Sequence, residues 1–322
     1  MIESRFPPLC ITILLFFKPF DVAHAFILDH SRSRSHSHLS TSAASMQSFD
    51  FSSAMEWDEF YKRTEKCDSI VQSEGGSTST KTIATEWHSS VSLDEIASVV
   101  PSNGKCLIIG CGDSNLPDRI LKQQDRPPPK SLVLLDTSQT CLDQLRERHQ
   151  RLERSNDHFD RPTSEVSLSN TEIKYVCGDA TKLSNYFGID NVVDSDGISA
   201  VKGEGENNDD RGSLFDMIID KGLTDALLCG EGWDGPLEKL LYESAKVLSI
   251  ESGQYLLISY QLPSSTKEFL MDIGHKVGLE WEFDVDLYTT TTAAASNSTS
   301  SSEKSDRKYQ HVNVAMARRI TK

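Results

Sequence analysis

Positive charge is scarce in this chain of 322 residues: 33 Lys and Arg stand against 48 Asp and Glu, a formal net charge of −15. That balance repels a polyanion such as DNA or RNA unless a local basic stripe overrides it, and the part that reads as folded has none. Paired cysteines are lacking too. The seven cysteines (Cys10, Cys67, Cys106, Cys111, Cys141, Cys177 and Cys229) are odd in number, scattered, and include no C-x-x-C pair. This argues against a disulfide scaffold or a structural zinc site and for reduced thiols packed as small apolar side chains. No Ser-His-Asp or metal-ligating constellation is apparent, so no metal is expected. The apolar stretch from Leu9 to Phe17 is too short to cross a bilayer, which takes a helix of roughly 20 residues.

That stretch sits instead in a leader. "MIESRFPPLCITILLFFKPFDVAHAF" has Arg5 near its start and Ala23-His24-Ala25 in the small-x-small arrangement of a cleavage site, so residues 1–25 read as a signal peptide. Residues 26–48 are Ser-rich, with Arg32 and Arg34 and the single acid Asp29, a composition that suits a disordered transit peptide. The tandem, with Phe26 just after the cleavage motif, resembles the bipartite presequences of algae whose plastids lie inside extra membranes. Plastid import is expected, with mitochondrial import, secretion, or a cytoplasmic product starting at Met46 as open alternatives. No stable membrane insertion is expected after processing, and the His-rich "HSRSRSHSH" reads as part of the same tract.

The remainder, residues 49–322, reads as one domain of the size one core can support. "EWDEFYKR" carries Trp57, Phe60 and Tyr61 at helical spacing, and "ATEWHSSVSLDEIASVV" reads as a second helix with Leu93, Ile96 and Val99 or Val100 on one face. Short apolar runs then alternate with helices. The strands are Lys105–Gly110, Ser131–Asp136, Ile173–Ala180, Phe215–Asp220 and Gly253–Tyr260, and "GPLEKLLYESAKVLS" is a helix with Pro236 in its first turn. Near-continuous apolar strands separated by helices imply a parallel sheet covered on both faces, a doubly wound α/β fold. Leu279–Tyr288 and Tyr309–Arg319 read as two further strands with no helix between them, an antiparallel pair at the sheet edge. Residues 191–213, acidic and Gly-rich, and 289–306, polar and of low complexity, read as inserts too poor in apolar surface to order and are expected to be mobile.

The polar residues cluster at the strand ends. Gly110-Cys111-Gly112 lies where the first strand meets its helix, letting the backbone turn tightly and approach a ligand. The third glycine of a dinucleotide fingerprint would fall at Asn115 and is missing, which favours a nucleoside without phosphates over NAD or FAD. Asp136 ends the second strand where an acid can accept hydrogen bonds from a ribose diol, or cap the next helix. Asp179 follows the third strand, and Asp220, Lys221 and Gly222 end the fourth. In open α/β sheets this carboxyl-terminal edge is where ligands bind.

The series "LIIGCGDSNL", "LLDTSQTCLDQL", "YVCGDATKL" and "FDMIIDKGLTDALL" resembles class I S-adenosylmethionine-dependent methyltransferases, whose Rossmann-like sheet has seven strands, the last antiparallel. More narrowly, "EWDEFY", "EWHSS", "GCGDSNL" and "DKGLTDAL" look like the methyltransferase-like group that includes lysine methyltransferases of elongation factor 1-alpha and of mitochondrial citrate synthase. The chain departs from that group's usual G-C-G-N-S and D-K-G-T-L-D-A, with Asp113 for the Asn and Leu223-Thr224 in swapped order. The resemblance implies S-adenosyl-L-methionine as cofactor. It implies that Trp57, Tyr61 and Trp87 cover it, that Gly110, Cys111 and Gly112 approach it, that Asp136 and Thr137 hold its ribose, that Asp179 and Ala180 flank its adenine, and that Lys221 belongs to the site after the fourth strand. Asp220 and Lys221 are the candidates for the catalytic edge, Asp220 alternatively fixing its own loop. The implied partner is a protein with a lysine to be methylated, such as an elongation factor, met by a monomeric enzyme; a small-molecule acceptor or a catalytically inactive interaction protein remain as alternatives.

Overall fold

The computed structural model describes residues 49–51, 53–70, 86–88, 90–123, 125–156, 171–188, 214–250, 252–260, 262–287 and 312–320. They belong to one compact unit, Phe49–Lys322. The leader and both inserts lie outside the described residues.

Seven strands form one sheet: β1 (Lys105–Ile109), β2 (Ser131–Asp136), β3 (Glu172–Cys177), β4 (Met217–Lys221), β5 (Gln254–Ser259), β6 (Leu279–Phe283) and β7 (Asn313–Arg319). Their order is β3-β2-β1-β4-β5-β7-β6. β1 to β5 run parallel to one another, and β7 runs antiparallel between β5 and β6. The edge pair expected from the sequence is therefore present, with β7 as its inner member.

Alternation along each strand sends side chains to two cores. Leu107, Ile109, Ile218, Tyr255 and Leu257 pack on one face with α7 (Asp234–Val247) and α8 (Ser264–Val277). Cys106, Ile108, Met217, Ile219, Leu256 and Ile258 pack on the other with Tyr61 of α1 (Ala54–Ile70), α2 (Leu93–Val99), α3 (Leu116–Leu121) and α4 (Gln139–Asn156). Two short helices, α5 (Leu183–Phe187) and α6 (Leu223–Leu228), follow the ends of β3 and β4.

Several elements differ from the sequence reading, which marked neither α5 nor α6 as a helix. α8 was not anticipated, although Phe269, Leu270, Ile273 and Val277 all pack on the core at helical spacing. Of the helix expected over residues 84–100, the described residues are helical only as α2: Trp87 and His88 form a turn, His88 has φ 65, and Ser92 is extended at φ −68 and ψ 126. Tertiary hydrogen bonds of this segment override its helical pattern.

Candidate functional site

β1 lies between β2 and β4, so successive connections leave it in opposite directions and open a crevice at the carboxyl ends of the strands. A cavity of about 330 Å³ occupies this crevice, at the lower end of the size range for small-molecule sites. Its walls come from α1 (Trp57, Tyr61), Trp87, the β1 turn (Gly110, Cys111, Gly112, Ser114), β2 (Asp136, Thr137), β3 (Gly178, Asp179, Ala180, Thr181) and β4 with α6 (Lys221, Gly222, Leu223, Ala226).

The β1 turn requires glycine twice. Gly110 and Gly112 have φ of 56 and 53, and an added Cβ would lie 2.9 Å from Leu223 Cβ at the first and 2.9 Å from the Tyr61 hydroxyl at the second. Such φ values cost a side chain-bearing residue about 1–2 kcal/mol before any overlap. The turn is tied down from both sides. Cys111 N–H donates to the Leu135 carbonyl (3.2 Å), and Arg148 on α4 donates to the carbonyls of Asp113 (2.7 Å) and Ser114 (2.5 Å). Cys111 is buried and burial pushes its thiol pKa far up, so it serves as a small apolar wall.

Asp136 is 7% exposed. Its Oδ2 accepts from Gly112 N–H and its Oδ1 from Ser138 N–H, both at 2.9 Å. Burial raises its pKa, while these backbone donors pull the other way. The backbone thus fixes the carboxylate, and each oxygen keeps acceptor capacity beside the cavity that Asp136 lines with Thr137. Ser138 in turn caps α4 through Cys141 N–H (3.1 Å) and donates to Asp58 of α1 (2.8 Å), which brings the aromatic helix over the site.

At the end of β3, Asp179 Oδ1 accepts from the Thr181 N–H (2.9 Å) and hydroxyl (2.7 Å), and Oδ2 pairs with Lys182 (3.0 Å). Burial pushes the Asp179 carboxyl up, but these partners outweigh it and hold the pKa below the usual range. Ala180 is buried beside it.

The opposite wall is aromatic. Trp57 stacks near Tyr61 (centroids 6.3 Å apart) and meets Trp87 edge-on (5.7 Å), and its indole N–H donates to the Phe51 carbonyl (2.9 Å). Trp87 reaches this wall from the turn before α2, not from the helix its sequence suggested.

The two residues read as the catalytic edge part company. Alternation along β4 puts Asp220 on the side of Ile218 and Lys221 on the side of Ile219. Asp220 is fully buried and does not line the cavity: it accepts from Thr224 N–H (3.1 Å), Thr224 Oγ1 (2.6 Å) and Tyr255 OH (2.9 Å). Asp220 therefore holds the start of α6, the alternative role that the sequence left open for it. Lys221 lines the cavity, and its ammonium is engaged by Glu86 Oε2 (3.0 Å) and the Trp87 carbonyl. Burial lowers its pKa and Glu86 opposes that, so it acts as a tether between β4 and the Trp87 turn.

Sequence reasoning did not single out Glu86, Ser114, His88 or Asp225. The Glu86 carboxylate gathers Lys221, Ser114 Oγ (3.0 Å) and Asn115 N–H (2.5 Å) at the start of α3. His88 and Asp225 form a buried pair at 2.7 Å. An acid inside the apolar "LTDALL" was the available signal for Asp225; Glu86 and His88 lay hidden in a segment read as helix, and Ser114 in the turn after β1. Among the described residues no three His, Cys, Asp or Glu side chains could hold a metal ion together, and no helix is long and apolar enough to cross a membrane.

No family model and no curated protein matches the chain. Among solved structures, a TehB-like SAM-dependent methyltransferase from Corynebacterium glutamicum is similar at 13% identity, covering 81% of this chain and 97% of that one with a TM-score of 0.39. Magnesium protoporphyrin IX methyltransferase from Synechocystis with bound SAM is similar at 10% identity, covering 86% of each chain, TM-score 0.37. NSun6 from Pyrococcus horikoshii is similar at 14% identity, covering 71% of this chain and 52% of that one, TM-score 0.42. Likenesses this distant leave the function to be carried by the residues of the cavity.

Proposed function

We propose that the cavity takes S-adenosyl-L-methionine and that the protein is a methyltransferase. The observation that carries the reading is the pairing, across one cavity, of two strand-end carboxylates with an aromatic wall. Asp136 and Asp179 offer acceptors suited to the hydroxyls and amino group of a nucleoside. Trp57, Tyr61 and Trp87 offer faces that attract a sulfonium by about 0.5–2 kcal/mol. The donor set suits phosphate poorly: the missing glycine at Asn115 removes the dinucleotide fingerprint, and the ammonium of Lys221 is already paired with Glu86.

When bound, the cofactor supplies a methyl group on a positively charged sulfur that leaves as a neutral thioether. Asp136 and Thr137 would hold the ribose, Asp179 and Ala180 would flank the adenine, and the Gly110–Gly112 turn would let the backbone come close. The aromatic wall excludes water and, with Leu223 and Ala226, lines an apolar mouth. Alignment of two reactants in such a site accounts for up to about 7–11 kcal/mol of barrier reduction in ideal cases, so no acid–base constellation is required.

The acceptor proposed is a protein lysine. A free lysine has a pKa near 10.4 and must lose its proton before it attacks, which an apolar, aromatic mouth favours by desolvation. A net charge of −15 draws cationic partners toward the chain. The motif resemblance to the elongation factor and citrate synthase enzymes points the same way, and the leader supports delivery to a plastid. Incubation of the purified protein with organelle lysate and methyl-labelled S-adenosylmethionine tests the acceptor. A labelled protein band that hydrolyses to methyl-lysine is expected; label only in soluble metabolites would replace the protein acceptor by a small molecule, and cofactor binding without transfer would leave an interaction module. A fluorescent fusion to residues 1–48 tests the compartment, and a cytosolic signal would overturn it.

A further inference from the structure

His88 is fully buried, yet its backbone sits at φ 65, a left-handed conformation that residues other than glycine adopt at a cost of about 1–3 kcal/mol and only where their surroundings over-determine it. Those surroundings are specific. Its Nε2 lies 2.7 Å from Asp225 Oδ2, its N–H donates to the Tyr260 hydroxyl (3.2 Å), and its ring lies 4.1 Å from that of Tyr260. Asp225 also accepts from Ser259 Oγ (2.5 Å) and Tyr260 N–H (3.1 Å). One imidazole therefore joins the turn before α2 to α6 and to the end of β5, three segments far apart in sequence.

The ring chemistry fits this use. His88 Nδ1 is buried without a hydrogen-bond partner, and an orphaned N–H costs more than an orphaned lone pair, so the tautomer assigned is Nε2–H donating to Asp225. A phenylalanine would fill the same space but supply no donor. What the pair holds is the cavity wall. Trp87 is the next residue toward the N-terminus, and its carbonyl and Glu86 together engage Lys221. The ring also covers Gly222, where an added Cβ would lie 3.5 Å from His88 Cε1.

We infer that His88, anchored by Asp225, is the positioning residue that fixes Trp87 against the cavity and sets the Glu86–Lys221 ion pair. The effect on ligand binding rests on the cofactor reading above; the placement of Trp87 does not.

The test is fluorine NMR of the full chain made with fluorotryptophan, together with calorimetric titration of S-adenosyl-L-homocysteine. The chain has four tryptophans, and Trp87→Phe assigns the Trp87 signal. Trp233 and Trp281, packed on the α7 and α8 face, report whether an effect is local. His88→Ala is expected to shift or broaden the Trp87 signal, leave Trp233 and Trp281 in place, and weaken binding about tenfold, the size of one buried polar contact. His88→Gln, whose amide can donate to Asp225, is expected to restore the signal and most of the affinity. A Trp87 signal unmoved in folded His88→Ala overturns the inference, as does a His88→Gln protein no better than His88→Ala. If His88→Ala does not fold, Asp225→Leu, which keeps the volume but supplies no acceptor, and His88→Gln decide by the same signal: Trp87 displaced in the first and retained in the second supports the role, and any other pattern overturns it. A native chain that gives no heat with S-adenosyl-L-homocysteine refutes the cofactor reading alone, since the Trp87 signal judges the anchor without ligand.

Discussion

Replacing Asp136 by alanine separates the two tasks of that carboxylate. In the native protein it satisfies Gly112 N–H and Ser138 N–H at 2.9 Å each. Ser138 is fully buried, whereas Gly112 borders the cavity. Alanine therefore strands one donor away from water and leaves the other where water can replace the carboxylate. A hydrogen bond to a charged group contributes about 1.5–3 kcal/mol and a stranded donor costs a similar amount, so folding stability should fall by about 2–4 kcal/mol. Loss of the acceptor facing the nucleoside should weaken binding by a further 1–3 kcal/mol or so, about 5- to 150-fold. Asn should fall between the two, because its carbonyl still serves one donor while its NH₂ opposes the other. Urea unfolding gives the first quantity and calorimetry with S-adenosyl-L-homocysteine the second. An Asp136→Ala protein that folds and binds with unchanged affinity would refute the argument and leave Asp136 as a support of the Gly112 turn and of Ser138 only.

Three further outcomes are expected. Gly112→Ala forces an alanine to φ 53 with its Cβ 2.9 Å from the Tyr61 hydroxyl, so it should lower stability by about 1–2 kcal/mol and weaken binding as Tyr61 moves; unchanged melting and affinity would show that the turn relaxes freely. Asp220→Ala strands Thr224 and Tyr255, and should cost about 3 kcal/mol in urea unfolding while the folded fraction binds as before; loss of transfer activity at unchanged stability would return Asp220 to the catalytic edge. Burial pushes Asp225 up to about 7 and His88 down to about 3, so between pH 4 and 6.5 or so the pair holds one proton in both folded and unfolded chains and adds little pH dependence. In His88→Phe only the raised Asp225 remains: its stability contribution is full below the unfolded value of 3.8 and lost as pH rises through about 7, so the variant should lose up to about 1.4 kcal/mol per pH unit there relative to the native protein, and parallel curves would refute it.

Much of the fold was legible because the four central strands β1, β2, β4 and β5 are buried along almost their whole length: β2 is buried at every position, and its apolar run from Ser131 to Asp136 was read with those bounds. The site outline was legible for a related reason, since strands ending at one edge must bring Gly110, Asp136, Asp179 and Lys221 together. What was not legible depends on contacts across the chain. The segment around Glu86 and His88 has a helical pattern, yet its partners are Ser114, Lys221 and Asp225, and nothing local signals them. Asp220 and Lys221 are adjacent in sequence and point to opposite faces, so one lies under α6 and the other at the cavity; strand alternation carried that information, but only once the register of β4 was known. α8 was passed over because its first turn, Ser264-Ser265-Thr266, is polar and its apolar residues begin only at Phe269.

The central claim is that the cavity between the strand-end acids and the aromatic wall holds S-adenosyl-L-methionine. Calorimetric titration of the full chain with S-adenosyl-L-homocysteine tests it most directly. A saturable one-site heat that weakens in Asp136→Ala is the expected result, and the absence of any heat from the folded native protein would contradict the claim.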